Sequence, residues 1–264
     1  GAWERAKPFC VLHSSFYILH SSFFISGVSS SPAQCPRTGR VLRCSCLAPS
    51  RRASRSGVCS FLAASSLRAL LGRCFGKLPL RRGTLKLDGK PVRFSSTAAA
   101  RRAGIAFVPE NRRMMLFRGE PVYKNVSIAI LDRIHRLWLK PRQERSITEE
   151  HIKDLQIRPP RAGIALGSLS GGNQQKVALA KWLTHLPKVL ILAEPTRGMD
   201  VGAKEDVIRI VKSLRDRGVA VLVLSTEPET ILTLADRVTV IRKGRVACEF
   251  AKGHLEKSDL LAAA

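Results

Sequence analysis

A chain of 264 residues with 45% hydrophobic composition can bury a core, as one large domain or two small ones, which excludes disorder from end to end. A formal charge of +25 and a pI near 10.9 would ordinarily point to a polyanionic partner, but residues 1 to 82 hold thirteen Lys or Arg against one acid, Glu4, whereas beyond Gly83 both signs are interspersed. With no basic patch interleaved with aromatics, a specific nucleic-acid partner is not expected.

The first third differs from the rest in other ways. Leu12–Ile18 is repeated almost unchanged as Leu19–Ile25, but two copies of seven residues do not make a solenoid. The uncharged stretch from Pro8 to Pro36 resembles a signal peptide superficially, yet its Ser and His content makes it a poor membrane span. From Ser29 to Arg55 the text is rich in Ser, Pro, Arg and Cys without periodicity, which favours disorder. Six of the seven cysteines precede Gly83 without a paired CxxC spacing, so they are read as incidental thiols and no metal site is expected. Residues 1–60 are therefore expected to be disordered and non-homologous to the remainder of the chain, from a fusion, a misplaced start or a shifted frame, with 61–264 forming the folded part.

Beyond Gly83, Thr84–Leu87 alternates apolar and polar residues, and Asp88-Gly89 supplies a hairpin turn into Pro91–Phe94. Ala98–Ala103 reads as a short helix, followed by a buried strand from Gly104 to Val108 that Pro109 ends. Helical spacing covers 122–138, and 148–156 could make a further short helix. The text then alternates helix (170–185), strand (188–192), helix (203–217), strand (219–224), helix (228–235) and strand (237–242). That order implies a parallel sheet covered by helices. Lys243-Gly244 turns the chain into a last strand, and Leu255–Ala263 reads as a terminal helix.

Two stretches carry chemistry. In Leu169-Ser170-Gly171-Gly172-Asn173-Gln174-Gln175-Lys176, Ser170 is placed as an N-cap, and two glycines let backbone N–H groups approach an anion at the positive end of the helix. Some twenty residues on, the strand Lys188–Leu192 runs into Ala193-Glu194-Pro195-Thr196-Arg197-Gly198-Met199-Asp200. An acid at the carboxyl end of a central strand points into the crevice where ligands of open α/β sheets bind, so Glu194 fits a general base.

In this order and spacing, LSGGNQQK, EPTRGMDVGAK, STEPE and ADRVTVIRKGRV resemble the second nucleotide-binding domain of sugar-importing ABC ATPases, from about Leu70 to the end. The resemblance implies an ABC-type P-loop NTPase domain of α/β class: a parallel-sheet core, a small antiparallel β subdomain and a helical signature subdomain at about 118–185, here incomplete at its N-terminus. It further implies that Ser170, Gly171 and Gly172, with Gln174, hold the γ-phosphate of ATP bound on a partner domain. Glu110 stands where other members have the Q-loop glutamine, Glu227 replaces the switch histidine, and Asp200 is the D-loop acid that acts across the dimer. ATP and Mg²⁺ are expected mainly at the partner's site. Implied partners are an ATPase half with an intact P-loop, a sugar permease in the membrane and, indirectly, a periplasmic sugar-binding protein; the implied location is peripheral, on the cytoplasmic face of the inner membrane.

Departures from the family pattern lie on the chain's own phosphate site. Ala193 stands where the family has the Asp that holds Mg²⁺. Gly76-Lys77 and Gly89-Lys90 lack the Ser or Thr of GxxxxGK[ST], and the stretch where a degenerate P-loop should lie, Phe61–Leu70, contains no glycine. The chain's own site is expected to be inert, and the strand and helix around which the sheet is built are expected to be lost. A decayed fragment is the alternative function reading, followed by a basic nucleic-acid-associated ABC protein.

Overall fold

The computed structural model describes residues 23–26, 57–62, 71–78, 84–131, 140–242, 245–251 and 256–263. A small antiparallel sheet has the order β1 (Phe23–Ser26), β3 (Thr84–Leu87), β4 (Lys90–Val92). The hairpin between the last two turns at Asp88 and Gly89, both with positive φ (51° and 77°), a backbone that Asp and Gly tolerate better than other residues.

The main sheet has six strands in the order β5 (Ile105–Val108), β6 (Val189–Ala193), β7 (Ala220–Leu224), β2 (Gly57–Leu62), β8 (Arg237–Arg242), β9 (Arg245–Ala251). The first five are parallel, and β9 returns antiparallel to β8. Strands β6 and β7 are buried along their whole lengths, as expected when helices cover both faces of a parallel sheet. Ala106, Val108, Leu190, Leu192, Val221 and Val223 belong to one packed layer, and Ile105, Ile191, Ala193, Leu222 and Leu224 to the other, the period-two alternation that strand geometry imposes.

The helices are α1 (Thr97–Arg102), α2 (Val122–Ser127), α3 (Pro141–Asp154), α4 (Gly171–Leu183), α5 (Val201–Asp216), α6 (Pro228–Leu234) and α7 (Lys257–Ala263). Val177 and Leu179 of α4, with Val207, Val211 and Leu214 of α5, fill the first layer. Leu71, Cys74 and Ala100 close the second from the other side. Burial pushes the Cys74 thiol up to about 12, in keeping with a residue that packs rather than reacts.

Three sequence expectations change. The strand at the centre of the sheet is present: β2 pairs parallel with β7 on one side and β8 on the other, and a helical turn at 71–74 follows it. Its six residues, GVCSFL, are a short apolar run whose partners lie more than 150 positions away, so no local period announces them. The helix expected at 148–156 begins earlier, with Pro141 in its first turn, a position proline favours. The helical spacing over 122–138 yields a described helix of six residues, ended after Ser127. Residues 63–70, 132–139 and 243–244, on which the phosphate loop, the rest of that helix and the last turn were placed, lie outside the described residues.

Candidate functional site

Of the residues singled out in sequence, Glu110, Glu194 and Glu227 follow the carboxyl ends of β5, β6 and β7, and Ser170 opens α4. Ser170 caps α4 with extended backbone (φ −60°, ψ 158°), and its hydroxyl accepts from the Asn173 amide at 3.4 Å and from Asn173 Nδ2 at 3.0 Å. Being exposed, it keeps its own hydrogen to donate outward. Gln174 is turned inward instead, donating through Nε2 to the Leu169 carbonyl at 2.8 Å, which stiffens the approach to the helix.

The two glycines have separate tasks. Gly171 is exposed, and a Cβ there would meet only the Arg112 guanidinium, at 3.8 Å. At Gly172 a Cβ would stand 2.7 Å from the Ala203 Cβ, so this glycine permits α4 to pack against the first turn of α5. Gly172 is thus required by the contact between the two helices, whether or not its amide also faces an anion.

Arg112, which follows β5, donates through Nη1 to the Gly171 carbonyl at 2.8 Å. Together with the unsatisfied amides of the helix start, this places positive charge at the mouth of α4. Glu110, two residues earlier, pairs with Arg197 of the β6–α5 loop. Between them Glu110, Asn111, Arg112, Arg118 and Gln174 line a cleft of about 250 Å³.

Glu194 is buried at the end of β6 with φ +48°. A non-glycine residue held there stores about 1–3 kcal/mol of strain. Its amide donates to the Leu224 carbonyl at 2.7 Å, and its carboxylate accepts from the Thr226 amide at 3.0 and 3.2 Å. The side chain is therefore aimed at the end of β7. Ala193 before it is 4% exposed and packs with Leu71, Cys74 and Leu224. Apolar packing of that kind does not suit a magnesium ion, which wants carboxylate and water oxygens. Among the described residues no cluster of three or more His, Cys, Asp or Glu is placed to hold a metal.

Asp200 caps α5, accepting from the Ala203 amide at 2.8 Å. Glu227, ahead of α6, is tied down from three sides: by Lys204 Nζ at 3.1 Å, by the Thr196 hydroxyl at 2.9 Å and by the Thr230 hydroxyl at 3.1 Å. Burial would raise its carboxyl, but the hydrogen bonds from Lys204, Thr196 and Thr230 outweigh it and hold the group below its ordinary value of 4.5. A depressed folded value stabilises the protein above the unfolded one, and that contribution is lost as pH falls from about 4.5 through the folded value. Lys204→Met is accordingly expected to flatten the acid side of the stability profile, read as urea midpoints between about pH 6 and pH 3.

Arg112, Arg197, Lys204, Thr196 and Thr230 were missed as site residues. Arg197 and Thr196 lie inside the EPTRGMD stretch, and Lys204 falls one turn into α5; what no spacing discloses is which acid each one meets.

Comparison with known proteins adds to this geometry. The ABC transporter family profile matches residues 67–197. The ribose/galactose/methyl galactoside import ATP-binding protein 3 of Agrobacterium fabrum is 40% identical over 192 residues, 72% of this chain and 38% of that protein. The ribose import ATP-binding protein RbsA of Rhodococcus jostii is 39% identical over 215 residues, 81% of this chain and 43% of that protein. The chain thus spans about two fifths of the length of the curated relatives it matches. Among solved structures, a dimeric ATP-binding cassette in a post-hydrolysis state with ADP and Pi is similar in fold, with a TM-score of 0.65 at 21% identity over 75% of this chain and 86% of that one. The cbiO1 cassette of Clostridium perfringens, part of the ABC transporter complex cbiONQ, gives 0.60 at 25% identity over 74% of this chain and 77% of that one. Among the described residues no helix is long and apolar enough to cross a membrane.

Proposed function

This chain carries an ABC transporter domain over residues 67–197, and on that premise we propose that it acts as the signature-bearing half of a paired ATPase for sugar import. The observation that carries the reading is the mouth of α4: an exposed Ser170 hydroxyl at the positive end of the helix, with Arg112 on the Gly171 carbonyl beside it. Such a mouth is built for an anion delivered from outside the chain. In this reading Ser170 and the amides that follow it grip the terminal phosphate of ATP held by a second half, and Mg²⁺ arrives with that nucleotide.

The chain's own site plays a holding role. Ala193 offers no oxygen, and Glu194 and Glu227 spend their carboxylates on Thr226, Lys204, Thr196 and Thr230. Val201, 74% exposed beside Asp200, supplies apolar surface where the partner half would meet α5. Exposed Met114 and Phe117 stand at the approach to the 118–161 segment, the stretch we assign to the permease. The working location is then peripheral, on the cytoplasmic face of the membrane, with the sugar-binding protein acting through the permease. Relatives named for ribose and galactose import support a monosaccharide as the cargo class in this reading.

The deciding experiment mixes the full chain with a separately made ATPase half that has an intact P-loop. The expected result is turnover that rises with added chain and saturates at one chain per partner. No turnover at any ratio, with both components folded, would identify a decayed fragment instead.

A further inference from the structure

Ser170 does not hold its orientation unaided. Its oxygen accepts twice from one residue, the Asn173 amide at 3.4 Å and Asn173 Nδ2 at 3.0 Å, and a hydroxyl has two lone pairs and one hydrogen. With both lone pairs engaged, all that the group can still offer is its O–H.

Asn173 in turn is fixed from outside α4. Its Oδ1 accepts from the Arg158 backbone N–H at 2.9 Å. A backbone N–H only donates, so the carboxamide oxygen must face residue 158, which leaves the NH₂ group to face Ser170. The segment that sets this direction is anchored on both sides of Ile157, itself 2% exposed in the core. Just before it, the Gln156 carbonyl accepts at 3.1 Å from Lys176 Nζ, a buried ammonium that also pairs with Asp206 of α5 at 2.6 Å. Just after it stands the Arg158 amide.

We propose that Asn173 is a positioning residue for phosphate recognition: held by the Arg158 amide, it makes the Ser170 hydroxyl a donor only. A deprotonated phosphoryl oxygen has lone pairs and no hydrogen, so a donor-only hydroxyl is the partner that suits it. This inference rests on the transport reading and adds to it a residue that touches no nucleotide in carrying out its part.

The isosteric change Asn173→Asp tests it. A carboxylate still accepts from the Arg158 amide but accepts from Ser170 as well, so the hydroxyl turns inward. An acid in the first turn favours the helix, so the urea midpoint should not fall. In the full chain paired with the P-loop half and followed with radiolabelled ATP, kcat is expected to drop at least about a hundredfold. The new charge also repels phosphate, and Ser170→Ala separates the two effects: with no hydroxyl to turn, Asn173→Asp should cost at least about tenfold less in that background. An equal cost in both backgrounds, or a parental kcat in either single variant, would overturn the positioning role and leave the transport reading standing. A parental pair without turnover would overturn both.

Discussion

Ser170→Arg is expected to cut ATP turnover by the assembled pair by at least about a hundredfold, the scale on which removing one donor to a developing oxyanion acts. The native hydroxyl sits at the end of α4 where the backbone dipoles sum, and it has a hydrogen to give. An arginine there fills the mouth with a long side chain and withdraws the cap from Asn173. Loss of the cap alone costs about 1 kcal/mol of helix stability, so Ser170→Ala, which loses the cap without blocking the mouth, is the necessary companion. If the arginine variant still pairs with its partner by sedimentation and still turns ATP over at the parental rate, the mouth of α4 does not face the nucleotide.

Gly172→Ala should destabilise the chain by about 1–3 kcal/mol, the range for forcing a methyl group into a packed contact. The sign is what makes the test sharp: inside an unencumbered helix the same change stabilises by about 1 kcal/mol. Here the new methyl group meets the Ala203 Cβ at 2.7 Å, so α4 and α5 must separate. Ala203→Gly should recover part of the loss, and a double-mutant cycle on urea midpoints measures the coupling directly. Additivity of the two changes would mean that the helices do not touch at this point.

Much of this architecture could be read from the amino-acid text because its elements announce themselves locally. The wholly apolar runs of β6 and β7, the Ser170 cap and the alternation of strands and helices from 170 onward all stand near their sequence-derived bounds. Glu110, Glu194 and Glu227 stand just beyond the carboxyl ends of β5, β6 and β7. Escaping notice were features set by distant pairing. Strand β2 belongs to the sheet through β7 and β8, and its own six residues carry no period that says so. For the same reason Arg197 is legible as part of a motif but not as the partner of Glu110, and no spacing discloses that Gly172 also lets Ala203 pack against α4.

Where β2 sits also governs how the protein can be cut. A piece begun at residue 83, which sequence composition would recommend, leaves β7 and β8 each with a bare row of backbone donors and acceptors in the middle of the sheet. Two raw edges facing a gap invite other chains to fill it. Any recombinant version meant to stay monodisperse should therefore start upstream of Gly57, however foreign the preceding text looks.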